Sequence, residues 1–343
     1  MYFIITLIAL VAYELLYFAL AKRLHIVDRP NERSSHHRVV LLGAGVIFIL
    51  ALVHYGLFNT DSGLLLHLGQ HLLPGNGYMP FLGGALLLAV VSYADDLHPL
   101  PSWLRMLAQC AAIVLAFHSS IATLQVWQMM LLVIVFAGVL NVYNFMDGIN
   151  GMLAAYSLAV VGTFFVINFF IHPFVDTQLL ATILLAILVF GFFNFRTHAR
   201  CFSGDVGSIV MGFTVVYLLV RYDASLPDNG ENVSFLCFII VFLADGLLTI
   251  AKRFLSGRNI LEAHREHLYE TLVNELHVPH LRVAASYALL QLLVNVGYLT
   301  VTDKNLYTFV VAFLLVVAYG LFFNYCNRRG LTLYGYAKRN RRS

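Results

Sequence analysis

The sequence predicts an all-α, polytopic integral membrane protein of about eleven transmembrane helices, with ten as the alternative count. Of its 343 residues, 60% are apolar and only 11% are charged, against roughly 25% charged in an average soluble domain. The apolar residues gather into runs of about 20, the length a helix needs to cross the hydrocarbon core. No series of roughly ten-residue alternating strands is present, which argues against a membrane barrel.

The apolar segments fall near 1–21, 39–59, 78–94, 102–118, 124–140, 152–171, 177–193, 207–222, 232–251, 283–301 and 305–325. The first, from Met1 to Ala21, has neither a basic residue ahead of it nor a small-residue cleavage site, and reads as a retained helix. The weakest is 78–94, where Pro80 and Gly83-Gly84 predict a short or tilted helix. Placing the N-terminus outside puts the connections 22–38, 94–101, 141–151, 194–206 and 252–282, and the tail 326–343, on one side. Those stretches, with Arg105, hold every Lys and Arg except Arg221 and Lys304. The positive-inside rule assigns that side to the cytoplasm, so the expectation is a multi-pass protein with its N-terminus outside and a cytoplasmic C-terminus. No soluble domain is long enough to stand alone, and residues 1–343 read as one transmembrane domain.

Within 252–282, Leu268, Leu272 and Leu276 recur every four residues, as in a helix lying on the membrane surface. The tail Lys338-Arg339-Asn340-Arg341-Arg342 suits anionic headgroups, or simply anchors the topology. Cys110, Cys201, Cys237 and Cys326 have no disulfide or metal spacing and read as packing residues.

Polar residues concentrate between two of the apolar segments, in Asn141-Val142-Tyr143-Asn144-Phe145-Met146-Asp147-Gly148-Ile149-Asn150-Gly151. Such density is costly in a lipid-embedded chain and marks a site; a helix boundary with Asp147 or Asn150 as cap needs only one such residue. Asp95 and Asp96 end the 78–94 helix, at the negative end of its dipole, so a cation should compensate them: a metal ion, a basic residue or a bound proton. Phe202-Ser203-Gly204-Asp205-Val206-Gly207-Ser208 stands just before the helix at 207–222. Asp205 there is either an N-cap or a hard-cation ligand beside backbone N–H groups. His264 and His267, spaced i,i+3, would share a helix face; with no third ligand evident, zinc is disfavoured, and with Arg265 the pair suits a diphosphate. Asp28 to Arg38, containing Ser34-Ser35-His36-His37, reads as an anion-receiving loop or a basic anchor. Asp245 reads as a structural partner of Lys252 or Arg253.

These constellations share one membrane face under a topology derived without them. Acidic sites, Asn-rich turns and cationic groups at one interface describe Mg²⁺-dependent chemistry on phosphates. No phosphate-binding P-loop or dinucleotide fingerprint is present, and no nucleic-acid partner is implied.

At these residues the sequence resembles the polyprenyl-phosphate N-acetylhexosamine-1-phosphate transferase family, a glycosyltransferase 4-like group. The matches are Pro30-Asn31-Glu32-Arg33-Ser34-Ser35-His36, Asp95-Asp96, Asn141/Asn144/Asp147-Gly148, Gly204-Asp205-Val206-Gly207-Ser208 and His264-Arg265-xx-His267, in the family's order. The resemblance implies transfer of sugar-1-phosphate from a UDP-N-acetylhexosamine to a polyprenyl phosphate such as undecaprenyl phosphate, with release of UMP. It further implies Mg²⁺, with Mn²⁺ as the alternative ion, held by Asp205 and Asn144. Asp95, supported by Asp96, would orient or deprotonate the lipid phosphate. Asp147, grouped with the catalytic carboxylates, would line the uridine-diphosphate pocket with Asn150. Ser35, His36, Asn141, His264, Arg265 and His267 would bind substrate.

The chain departs from the family pattern at Asn150, often Asp; at Leu41-Leu42-Gly43-Ala44-Gly45, which lacks a basic or Pro residue; at Ser203, usually Met; and at Glu270, usually Gln. Its His-Arg-Glu-His, in place of a histidine triplet, places it with initiators of surface polymers such as O-antigen, and a homodimer is left open. The competing classes are a secondary transporter, whose site would lie near the midplane, and a catalytically silent lipid-binding relative.

Overall fold

The computed structural model describes residues 1–30, 38–58, 78–121, 125–226, 234–259 and 264–328. Each of the eleven apolar segments carries a helix. They are α1 (Tyr2–Leu24), α2 (Val46–Phe58), α3 (Tyr78–Leu97), α4 (Ser102–Ile121), α5 (Val126–Phe145), α6 (Met152–Val166), α7 (Thr177–Asn194), α8 (Gly204–Asp223), α9 (Ile240–Leu255), α11 (His280–Thr300) and α12 (Lys304–Arg328). A π-helical turn, Ile167–Ile171, prolongs α6, and a 3-10 turn, Ser234–Ile239, leads into α9. A further short helix, α10 (Leu268–Asn274), lies between α9 and α11. Among the described residues, nine helical spans are long and apolar enough to cross a membrane, while α2 and α4 hold shorter apolar stretches. This is an all-α, multi-pass membrane protein. Among the described residues the one ladder is a two-residue antiparallel pair, β1 (Val27–Asp28) with β2 (Val40–Leu41).

The bundle is built around α8, whose residues from Val206 to Leu219 are all buried. Phe81 on α3 stacks on Tyr217 and Phe213 of α8, with ring centroids 4.0 and 5.4 Å apart. Gly84 lets α4 approach, since a Cβ there would stand 2.8 Å from the Ala112 carbonyl. Between α6 and α11 the buried polar groups satisfy one another: Tyr156 donates to Gln291 Oε1 at 2.6 Å, and Asn295 Nδ2 donates to Thr163 Oγ1 at 3.0 Å. Such pairs hold helices together where lipid removes the usual apolar driving force. By contrast α12 exposes Leu306, Phe309, Phe313 and Leu321, as a lipid-facing helix does.

Four local expectations are corrected. The 78–94 segment is a full helix that runs to Leu97, so Asp95 and Asp96 lie inside its last turn; Pro99 then disfavours helix at the residue before it. The helix expected at 207–222 starts at Gly204 instead, because a side chain from α3 satisfies its first N–H groups. The expected surface helix through Leu268, Leu272 and Leu276 is only seven residues long and turns Tyr269, Glu270, Thr271 and Val273 inward. Asp245 does not pair with Lys252 or Arg253; those cations meet Glu266 instead, and two helical turns separate them from Asp245.

Candidate active site

Three helix ends meet at one end of the bundle: the C-termini of α3 and α5 and the N-terminus of α8. Asp96 makes the junction. Its Oδ1 accepts from the backbone N–H of Asp205 at 2.8 Å and its Oδ2 from that of Val206 at 3.1 Å. A carboxylate on the exposed N–H groups of a helix is favoured by both the bonds and the dipole. Gly204 holds φ +70, and a Cβ there would run into the Asp96 carboxylate; glycine is required at that corner. The first-loop glycines serve the same junction. Ala44 N and Gly45 N donate to the carbonyls of Phe202 and Ser203, each at 2.9 Å. Gly45 and Gly207 pack backbone to backbone, a Cβ on Gly207 standing 2.7 Å from Gly45 Cα.

With Asp96 holding the α8 N-terminus, Asp95 and Asp205 face a common cation. Arg105 Nη1 lies 2.8 Å from Asp95 Oδ2 and 3.5 Å from Asp205 Oδ2. The compensation required at the end of α3 is therefore supplied twice, by the α8 N-terminus for Asp96 and by Arg105 for Asp95. Asp95 is further fixed by Leu100 N–H at 2.5 Å. Asp205 is not the N-cap of α8, a position held by Ser203; its side chain is 30% exposed and thus open to a ligand. Asn144, at the end of α5, lies one hydroxyl away: Ser208 Oγ donates to its Oδ1 at 3.1 Å, with the Asp205 carbonyl 3.4 Å from the same hydroxyl. Asp95, Asn144 and Asp205, from three distant parts of the chain, thus converge.

Asp147 joins them through Ser203, whose hydroxyl donates to its Oδ2. Burial pushes the Asp147 carboxyl up to about 8; the Ser203 bond works against that rise, and the charges of Asp205 and Asp96 add to it. A Leu153 N–H in the first turn of α6 also favours the carboxylate, so part of the helix-boundary reading holds for this residue. Asn150 is buried and donates to the carbonyls of Arg196 and Thr197 at 3.0 and 3.1 Å, anchoring the 194–200 turn. Asn141 donates to Gln109 Oε1 and to the Ala137 carbonyl, both at 2.8 Å, which are helix-packing contacts. Ser35 and His36 lie outside the described residues.

The histidine motif takes a different form from that expected. Residues 264–267 are not helical, and His267 is the N-cap of α10. The His264 and His267 rings nevertheless lie 5.1 Å apart, against Phe145 at the end of α5. Asp245 receives Leu268 N–H at 2.8 Å, Tyr269 N–H at 3.2 Å and Tyr287 OH at 2.7 Å, and lies 3.5 Å from His267 Nδ1. Tyr269 OH in turn donates to the Phe145 carbonyl at 2.7 Å, binding the motif to the central stretch. Burial works to lower the His267 pKa, but the hydrogen bond and charge of Asp245 outweigh it and the net shift is upward. Burial, then the charges of His267, Arg253 and Lys252, drive His264 down to about 3. Arg265 is half-buried beside them.

The donor set around Asp205 fits a small hard cation. It comprises a carboxylate, an amide oxygen on Asn144 and a second, more buried carboxylate on Asp95, all of them the oxygen donors that Mg²⁺ prefers. Reading the motifs alone missed Arg105 and Ser208 as members of this site. For Arg105 a signal existed: the Pro99–Pro101 turn is short, so the first turn of α4 must lie beside the last turn of α3.

A family model described as glycosyl transferase family 4 matches residues 78–223, from α3 through α8. Among curated proteins, the undecaprenyl-phosphate alpha-N-acetylglucosaminyl 1-phosphate transferase of Escherichia coli (strain K12) is 23% identical over 356 residues, covering 95% of this chain and 91% of its own. The protein of the same name from Yersinia pestis is 23% identical, covering 94% and 89%. That from Thermotoga maritima is 24% identical, covering 89% and 90%. The resemblance carried by the motifs is therefore borne out: over residues 78–223 this multi-pass membrane protein is similar to glycosyl transferase family 4.

Proposed function

We propose that this protein transfers an N-acetylhexosamine-1-phosphate from a UDP-sugar to undecaprenyl or another polyprenyl phosphate, releasing UMP, as the first lipid-linked step of a bacterial surface polysaccharide. The observation that carries the reading is the meeting of Asp95, Asn144 and Asp205 beside Arg105 at one end of the bundle. The names of its relatives support the class of reaction. The basic residues of the connections assign that end to the cytoplasm, where a nucleotide sugar is available and the headgroup of a membrane lipid can reach the site.

Phosphoryl transfer asks little covalent chemistry of the protein; in-line placement and neutralisation of charge dominate. Mg²⁺, held by Asp205 and Asn144, would supply the neutralising charge between the two phosphates. Arg105 offers a planar fork of donors at the mouth of the carboxylate pair, suited to a phosphate oxygen. Asp95, ordered by Leu100 and Arg105, orients the lipid phosphate, which is already a nucleophile at neutral pH. Arg265 and the adjacent imidazoles flank the diphosphate side. Asp147, whose carboxyl burial pushes up to about 8, can in its protonated form donate a hydrogen bond to the donor substrate. Because the lipid phosphate needs little activation, a single displacement at the β-phosphorus is the preferred route over an aspartyl-phosphate intermediate; a chiral β-phosphate should report inversion, and retention would indicate the covalent route.

The direct test is UMP release by the purified protein from a panel of UDP-N-acetylhexosamines, with and without polyprenyl phosphate and Mg²⁺. Lipid-dependent UMP with at least one donor is expected. Its absence with every donor rejects the reading in favour of transport or a silent lipid-binding role.

A further inference from the structure

The cluster at the start of α10 has donor chemistry unlike that of the carboxylate site. One ring nitrogen from each of His264 and His267 and one carboxylate oxygen of Glu270 lie within 4.8 Å of one another. Ligand atoms around a tetrahedral ion stand roughly 3.4 Å apart, so side-chain adjustment of about an ångström closes the set. Glu270 is the third ligand that sequence spacing did not reveal, because His264 and His267 precede the helix rather than lie along it.

Two further observations point to a ligand. Nδ1 of His264 is buried without a hydrogen-bond partner, and the neighbouring His267 is only 3% exposed; buried polar atoms left unpaired are costly. Behind His267 stands Asp245, its Oδ1 3.5 Å from Nδ1, the position from which a carboxylate orients a metal-bound imidazole through its second nitrogen.

We propose that His264, His267 and Glu270 form a site for a borderline divalent transition ion of the zinc class, with Asp245 as the positioning residue for His267. Two imidazoles and one carboxylate select such an ion over Mg²⁺, which prefers an all-oxygen shell. The ion would fasten the His264–His267 segment to α10 and so to the end of α5, beside the carboxylate site. The inference does not depend on the transfer reaction.

The test uses the full-length protein in detergent, stripped with a chelator and titrated with Co²⁺ in excess Mg²⁺. It reads visible d–d absorption and metal content per chain. One Co²⁺ per chain is expected, displaced by equimolar Zn²⁺ and retained against Mg²⁺. His267→Asn and Glu270→Gln should each weaken binding by about tenfold or more, while Asp205→Asn leaves it unchanged. Glu270→Gln preserves the capping bond that Oε2 accepts from His267 N–H at 3.3 Å, so it carries the test if the histidine variant does not fold. Absence of a Co²⁺ band overturns the proposal and leaves His267 as a ring held only by Asp245. Undiminished binding in Glu270→Gln, or ready displacement by Mg²⁺, overturns it as well. Loss of UMP release in Asp205→Asn with Co²⁺ binding intact keeps this outcome separate from that of the transferase reading.

Discussion

Arg105→Gln should tighten divalent-ion binding while slowing turnover. In the free protein the Arg105 guanidinium stands where a cation is wanted, 3.5 Å from Asp205 Oδ2 and 2.8 Å from Asp95 Oδ2. A divalent ion arriving at Asp205 must displace that charge or bear its repulsion. At such a distance two unit charges interact by about 1 kcal/mol in water and by about 5 kcal/mol at an effective dielectric of 20. The Arg105 side chain is 38% exposed, so solvent screening holds the net effect near the lower figure, about 1–2 kcal/mol. That corresponds to roughly 5- to 30-fold in dissociation constant. The assay is Mn²⁺ binding by electron paramagnetic resonance, without substrates and with Zn²⁺ present to fill imidazole sites. Turnover should fall in the same variant, because the guanidinium is then missing from the phosphates. Unchanged or weaker Mn²⁺ affinity in a folded Arg105→Gln protein would falsify the view that Arg105 and the metal compete for one pair of carboxylates.

The remaining carboxylates separate by role. Asp205→Asn should remove most turnover and weaken the Mg²⁺ dependence of UMP release, whereas Asp95→Asn should remove turnover even at saturating Mg²⁺; full activity in either rejects that assignment. Asp96→Ala should differ from both by costing stability, about 1–2 kcal/mol as for other lost helix caps, seen as a lowered melting temperature beside a near-native Asp95→Asn. Arg265→Ala should raise the apparent KM for the nucleotide sugar more than it lowers kcat, and an unchanged KM counts against a diphosphate grip. Asp147 predicts a pH dependence. Its folded pKa of about 8 stands above the ordinary value of 3.8, so folding takes up a proton between those limits. The stability this confers is complete below the lower value and lost as pH rises through the upper one. The melting temperature of the native protein should therefore fall relative to that of Asp147→Asn between pH 5 and pH 8.5, and parallel curves exclude the raised pKa.

How much of this was legible beforehand can be judged residue by residue. The eleven helices were, because apolar runs of membrane-crossing length bind each segment to helix whatever its neighbours do. The convergence of Asp95, Asn144 and Asp205 on one face was expected from topology alone, since charge asymmetry sets which connections share a side. Ser203, Asn141 and Asn150 show where that reasoning stops. Polarity in a lipid-embedded chain says that a side chain has a partner, yet it does not separate Asn144 beside Asp205 from Asn141 against Gln109.

The amino-acid order by itself determined the class of protein, the location of its helices and the end of the bundle at which polar chemistry gathers. Tertiary structure alone decided the division of labour: Asp96 on the α8 N-terminus, Arg105 between Asp95 and Asp205, Asp245 behind His267, and Glu270 beside two histidines. The reason is physical. Hydropathy is a property of each segment and survives any packing, whereas a hydrogen bond or ion pair depends on distances of about 3 Å between groups that the chain order leaves up to 110 residues apart.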